Sequence, residues 1–384
     1  MTSALFVSHT AKIGGAELFL VDLLEGGPPE WRACFLGQGA AADRLTASGR
    51  PPIVLQAGAR MLAIRRESSL PTLAAGAADV FAVARQLARQ ARSFDVICAN
   101  SQKALFVCSL ASKLSRRPMV WFLHDIITDP AFSSVNRRAA LYFARHFATR
   151  VAVNSQASAD AFIRAGGQAE KVDIVYNGFD PAAAKPHQAA RGKALRAELG
   201  LDDRPIIGLF GRLSPWKGQH VLLQALAKCP DVQAVIVGAA MFGEDAYAQS
   251  IRSLAAELDL ENRVRFLGFR TDVPDLIAAT DIVVHSSTVP EPFGRVVVEG
   301  MMAGRPVIAT EGGGVSEIVR RGETGWLVPP EDPAALVEVI RDVLADPLRA
   351  ARLADAGRLD VSRRFSLEET RTSMARVLHS AARS

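Results

Sequence analysis

The chain has 384 residues, 49% hydrophobic and 22% charged, with 29 Gly, 20 Pro and a formal charge of +5. That length exceeds what one hydrophobic core supports and calls for two domains, while the composition excludes a disordered or fibrous chain. Cys34, Cys98, Cys108 and Cys229 form no C-x-x-C pair and no Cys/His group at zinc spacing, which argues against a disulfide framework or zinc module and for reduced, buried thiols.

The opening MTSALFVSHT has no basic region ahead of a long apolar stretch, so the expectation is a cytoplasmic protein. Apolar runs such as ALFVSH and VQAVIVG are far shorter than the roughly 20 residues that span a bilayer. Through residue 185 these short runs alternate with amphipathic stretches, the pattern of βα units around a parallel sheet. Strands are expected at 4–8, 32–36, 52–55, 95–99, 119–123, 151–154 and 173–176.

The first strand leads into FVSHTAKIGGAE, where Gly14 and Gly15 let backbone approach a ligand closely, although a tight turn accounts for the pair equally well. His9 and His124 each end a strand; His9 is read as a structural histidine and His124 as a functional one. Residues 1–185 carry 21 Lys+Arg against 14 Asp+Glu, and the remainder 24 against 26. Arg60, Arg65, Arg66, Arg85, Arg89, Arg92, Lys113, Arg116 and Arg117 supply much of that excess. They suit either attraction to anionic lipid head groups or a solvated arginine-rich surface.

The Pro- and Gly-rich stretch from Asn177 to Pro205 interrupts the rhythm and reads as a hinge, which divides the chain into domains 1–185 and 186–365. The strand IIGLF then resumes the βα pattern, followed by strands at 234–238, 264–267, 282–285, 306–310 and 326–328. Beyond Asp332 only helices are expected, lying across the outside of both domains, with 366–384 as a separate final helix.

In IIGLFGRLSPWKG, Arg212 just past the strand and Lys217 at the helix opening emerge at the carboxyl edge of a sheet, where doubly wound folds bind ligands. An Arg fork with a Lys point charge matches a diphosphate, with a structural Arg and a solvent-facing Lys as the alternative. In VPEPFGRVVVEGMMAGRPVIAT, seven residues separate Glu291 from Glu299. Glu291 falls on a turn, and the N–H groups near Phe293 and Gly294 form an anion-attracting helix start. Glu299 falls inside an apolar helix expected to be buried, where its partner is either a polyol or a salt bridge to Arg295 or Arg305. No D-x-D, H-E-x-x-H, G-x-S-x-G or P-loop occurs, so a metal-independent site is expected.

IGGAE, VAVNSQASADAF, IVYNGFD, GRLSPWKG, EPFGRVVVEGMMAGRPVIAT and GGGVSEIVRRGETGWLV together resemble the retaining glycosyltransferases of family 4. The resemblance implies the GT-B fold: two facing Rossmann-like α/β domains with a cleft between them and a C-terminal helix returning to the first. It implies that Glu291 contacts donor-sugar hydroxyls and Glu299 the ribose, with Arg212 and Lys217 on the diphosphate and Gly14 and Gly15 on phosphate. It places the base near Gly268 and Phe269 and His124 near the sugar's C6 hydroxyl. The implied reaction moves a sugar, with retention, from a nucleoside diphosphate to an acceptor hydroxyl without a cofactor. GDP-mannose and UDP-sugars both fit, with a lean to GDP-mannose. A polyprenyl-linked glycan at the inner membrane surface suits the basic first domain; a soluble glycan is the competitor, and no nucleic acid is expected. A nucleotide-sugar epimerase and a non-catalytic nucleotide-sugar sensor are the alternatives. Gly300 departs from the family's usual alanine, and the acceptor region, including residues 58–70, matches nothing specific.

Overall fold

Runs of aliphatic residues with no polar face need cover on both sides, and in the computed structural model they build two parallel sheets flanked by helices. The structure describes residues 2–56, 58, 70–129, 132–184, 189–241 and 243–384. The chain divides into two units, Met1–Gly178 with Leu367–Ser384, and Phe179–Ser366.

Among the described residues the first unit has seven strands, β1 (Ala4–Ser8), β2 (Trp31–Phe35), β3 (Ile53–Val54), β4 (Val96–Ala99), β5 (Met119–Leu123), β6 (Ala148–Val153) and β7 (Val172–Ile174). Their order is β3-β2-β1-β4-β5-β6-β7, and every pairing is parallel. The two-residue side-chain period splits each strand between two cores. Leu5 and Val7 join Ile97, Trp121 and Leu123 on one face, while Ala4 and Phe6 join Val96, Cys98 and Phe122 on the other. The terminal helix Leu367–Ala382 buries Met374, Val377, Leu378 and Ala381 in that second core. The end helices are divided between the units: Pro347–Arg364 belongs to the second and Leu367–Ala382 to the first.

The second unit repeats the scheme with β8 (Ile206–Phe210), β9 (Gln233–Val237), β10 (Val264–Gly268), β11 (Ile282–His285), β12 (Val307–Thr310) and β13 (Trp326–Val328). The order is β10-β9-β8-β11-β12-β13, again all parallel. Strand order reverses between β1 and β4 in one unit and between β8 and β11 in the other. Diverging loops at such points open a crevice at the carboxyl edge.

The change of unit falls at Gly178 rather than at 185. Phe179 already belongs to the second unit, because its N–H donates to the Phe365 carbonyl at 2.9 Å and its ring lies 6.2 Å from that of Phe293. No helix among the described residues is long and apolar enough to cross a membrane.

Candidate functional site

The second unit's switch point gathers the loops after β8 and β11. Lys217 ends a short 3-10 turn, and Gly218 follows with φ +67. A Cβ on Gly218 would lie 1.8 Å from the Ser286 carbonyl oxygen, so only glycine lets this loop press against the segment after β11. The seam is closed by Ser286 Oγ donating to the Gly218 carbonyl at 2.9 Å and by the Thr288 N–H donating to the Trp216 carbonyl at 2.8 Å.

Across that seam Lys217 Nζ donates to Glu291 Oε1 at 2.6 Å. His285 Nε2 meets the same oxygen at 2.8 Å, and Ser287 Oγ donates to it as well. Glu291 is 7% exposed. Burial pushes its carboxyl up, but the charges of Lys217 and His285 and their hydrogen bonds outweigh that and hold it well below the usual range. Its backbone is pinned by the glycine turn of GGGVSE. The Gly314 N–H donates to the Glu291 carbonyl at 2.8 Å, and a Cβ on Gly313, at φ +58, would lie 2.1 Å from that carbonyl oxygen.

Arg212 and Lys217 both lie over the Trp216 ring, the guanidinium 5.6 Å and the ammonium 4.2 Å from its centroid. Glu244 Oε2 stands 3.3 Å from Arg212 Nε, and Ser214 Oγ donates to Glu244 Oε1. Arg212, Lys217 and Glu291 are thus brought together. Gly268 and Phe269 lie at the carboxyl end of β10, where the Gly268 carbonyl accepts the Gly238 N–H at 2.8 Å and Phe269 is 70% exposed.

The helix Arg295–Met302 departs from the sequence reading. Gly294 caps it with φ 107 and no side-chain cap, and Phe293 is buried beside Phe365. Val297, Val298, Gly300, Met301 and Met302 are buried, but the expected burial of Glu299 is wrong, since its side chain is 31% exposed. A 3.6-residue turn sets Arg295 and Glu299 on the same side of the helix, and Arg295 Nη2, on a side chain only 17% exposed, lies 3.5 Å from Glu299 Oε1. Arg305 instead donates to the Thr280 carbonyl. Gly300 sits tight on the sheet, where an added Cβ would meet Val283 and Val307 at 3.1 Å.

The first unit's switch point holds a separate cluster. Asn100, just after β4, offers Oδ1 to His124 Nε2 at 2.9 Å and donates Nδ2–H to the Ala16 carbonyl at 3.0 Å. The His124 ring stacks on Phe122 at 4.4 Å. His9 Nδ1 lies 2.9 Å from Ser101 Oγ; burial, with a smaller contribution from the Lys103 charge, pushes its pKa down to about 4. Gly14 caps the helix Gly15–Leu24 in ordinary extended conformation, and its missing Cβ makes room for Glu17, whose Oε2 would be 3.0 Å away; Gly15 borders open space. Ser8 Oγ donates to the buried Glu17 at 2.9 Å, and burial pushes that carboxyl up.

Residue-by-residue reading missed His285, Ser287, Thr310, Glu244, Glu17 and Asn100. For His285 a signal existed: a polar residue ending an apolar strand beside the switch point. Arg60, Arg65, Arg66 and most of the 58–70 acceptor stretch lie outside the described residues, whereas Arg85, Arg89, Arg92, Lys113 and Arg116 are exposed.

A model of glycosyl transferases group 1 matches residues 193–360, and one of a glycosyl transferase 4-like domain matches residues 14–178. The Anabaena protein HepE, solved in complex with UDP and glucose, is 40% identical, with 99% of this chain and 100% of that one covered at a TM-score of 0.89. Spore coat protein SA of Bacillus subtilis is 32% identical over 221 residues, 54% of this chain and 58% of the relative. A D-inositol 3-phosphate glycosyltransferase of Mycolicibacterium vanbaalenii is 36% identical over 222 residues, 54% of this chain and 48% of the relative. The chain thus spans about half the length of the curated relatives it matches.

Proposed function

The chain belongs to the group 1 glycosyltransferases of the GT-B fold, and from that premise we propose that it transfers a sugar, with anomeric configuration retained, from a UDP-sugar to an acceptor hydroxyl. The observation that carries this reading is the meeting of Lys217 and Glu291 at 2.6 Å beside Arg212, at the switch point between β8 and β11. Two cations there offset the charge of a departing diphosphate, and a desolvated carboxylate fixes a sugar hydroxyl. UDP and glucose bound to HepE favour UDP-glucose over the GDP-mannose to which the sequence leaned. Glu299, a half-buried carboxylate 3.5 Å from Arg295, is assigned to the ribose. Gly268, Phe269 and the helix start at Phe293 and Gly294 are assigned to the nucleotide, and His124 to a sugar hydroxyl. The Gly14–Gly15 turn is assigned to phosphate through the open side at Gly15. Turnover is proposed to need no metal.

The test is release of UDP from UDP-glucose by the purified protein, with and without a panel of glycan acceptors, and the anomeric configuration of the product by NMR. Acceptor-dependent release with retention is expected. Release without acceptor, or conversion of the sugar with no transfer, overturns the transferase reading in favour of an epimerase.

For the acceptor we propose a polyprenyl-linked glycan met at an anionic membrane surface. Phe81, Leu114, Val135 and Tyr142 are 47%, 38%, 71% and 57% exposed on three helices that pack side by side, Leu70–Ala91, Gln102–Ser115 and Ser134–Phe147. Exposed apolar groups interspersed with Arg85, Arg89, Lys113 and Arg116 are the composition of an interfacial binding face.

A further inference from the structure

Every hydrogen bond that the described residues make to the Glu291 carboxylate falls on one oxygen: Lys217, His285 and Ser287 all reach Oε1, and none reaches Oε2. The three donors are not equivalent. The Lys217 side chain is 18% exposed and can be drawn toward an anionic ligand, whereas the His285 side chain is 3% exposed and stays where it is. An ionised carboxylate only accepts hydrogen bonds, so His285 Nε2 carries the hydrogen in that contact. The far side of the ring is held too. Thr310 Oγ1 lies 3.2 Å from Nδ1 and donates to the Ser287 carbonyl at 2.8 Å, tying the ring to the strand end of β12 and to the loop that leads to Glu291.

We infer that His285 is a positioning residue for donor-sugar recognition. It clamps Oε1 of Glu291 so that Oε2 faces a sugar hydroxyl, and it keeps the buried carboxylate partnered while Lys217 turns to the diphosphate. Thr310 and Ser287 set the angle of the clamp. This inference rests on the UDP-sugar reading above for its ligand, but the clamp itself is a property of the ligand-free protein. It also separates two roles within one cluster: Lys217 serves the phosphates, and His285, through Glu291, serves the sugar.

The test compares UDP with UDP-glucose by calorimetry for the wild-type chain, His285→Ala, His285→Gln and Thr310→Val. The readout is the ratio of the UDP-glucose to the UDP dissociation constant, together with the melting temperature. The alanine variant is expected to raise the ratio by about tenfold, the size of one lost charge-assisted hydrogen bond, and to leave UDP affinity nearly unchanged. The glutamine variant, whose carboxamide N–H replaces Nε2–H, is expected to recover most of that loss, and Thr310→Val to show a smaller rise. An unchanged ratio, or equal loss for both ligands without rescue by glutamine, overturns the clamp. A ligand-free arm separates this from failure of the donor reading. In 15N-resolved NMR, a slowly exchanging Nε2–H absent from His285→Gln and shifted by Glu291→Gln is expected. If UDP-glucose fails to bind the wild type yet this signal is present, the donor reading falls and the clamp stands; if the signal is missing, the clamp falls.

Discussion

Arg212 and Lys217 are chemically different cations sharing one ring, and the difference has consequences. Lys217 already has Glu291 as a counter-ion, while Arg212 faces Glu244 at a longer 3.3 Å. Arg212→Ala is therefore expected to lower turnover of UDP-glucose by on the order of 100-fold, as loss of a group acting on transition-state charge does. Unchanged turnover in a UDP-release assay removes Arg212 from the chemistry. His9 provides a pH prediction. Its folded pKa is about 4 against 6.5 unfolded, so between those values the unfolded chain binds the extra proton and stability falls as pH drops. Urea midpoints measured from pH 7 to pH 4 should show that slope, and His9→Gln should flatten it. Glu291 acts in the same sense, at lower pH. Its depressed folded value means that its contribution is whole above the ordinary 4.5 and is lost only as pH falls through the lower folded value.

At the level of elements, the site is made by two loops and a glycine contact. Gly218 combines a left-handed backbone with a Cβ position 1.8 Å from the Ser286 carbonyl oxygen, so neither side can yield without moving Lys217. Gly218→Ala is expected to destabilise the chain by roughly 2 kcal/mol or more, read from chemical denaturation, and to weaken UDP binding as well. Wild-type stability and affinity in that variant would show that the seam is not needed. The strands themselves follow from local pattern: β1, β5, β11 and β13 have the limits that alternation and turn residues imply, because an apolar run closed by a turn residue has few other solutions. The helix Arg295–Met302 is where pattern misled. Its apolar composition suggested burial all round, yet the helical period leaves Glu299 partly exposed beside Arg295.

For the molecule as a whole, the terminal helix completes the first unit. Removing 367–384 uncovers the apolar face that Met374, Val377 and Leu378 share with Phe6 and Phe122. Calorimetry is expected to show that truncation lowers the melting of the first unit and spares the second, whose core contains none of those residues. The exposed rings and arginines of the first unit lead to a further expectation, co-sedimentation with vesicles rich in anionic lipid that weakens between low and high salt. Equal binding to neutral vesicles, or none to either, removes the membrane-bound acceptor from the proposal. The sequence alone determined that there are two parallel α/β halves and where most strands run, and it singled out Arg212, Lys217 and Glu291 as candidates for one site. These are local facts, written in periodicity, turn residues and motif spacing. Only the tertiary structure decided that His285, Ser287 and Lys217 converge on a single oxygen of Glu291, that Thr310 backs the ring, and that Glu299 is only half-buried. Lys217 and Glu291 are 74 positions apart and meet because β8 and β11 are neighbours in the sheet. A hydrogen bond depends on tenths of an ångström across strands that no spacing along the chain encodes.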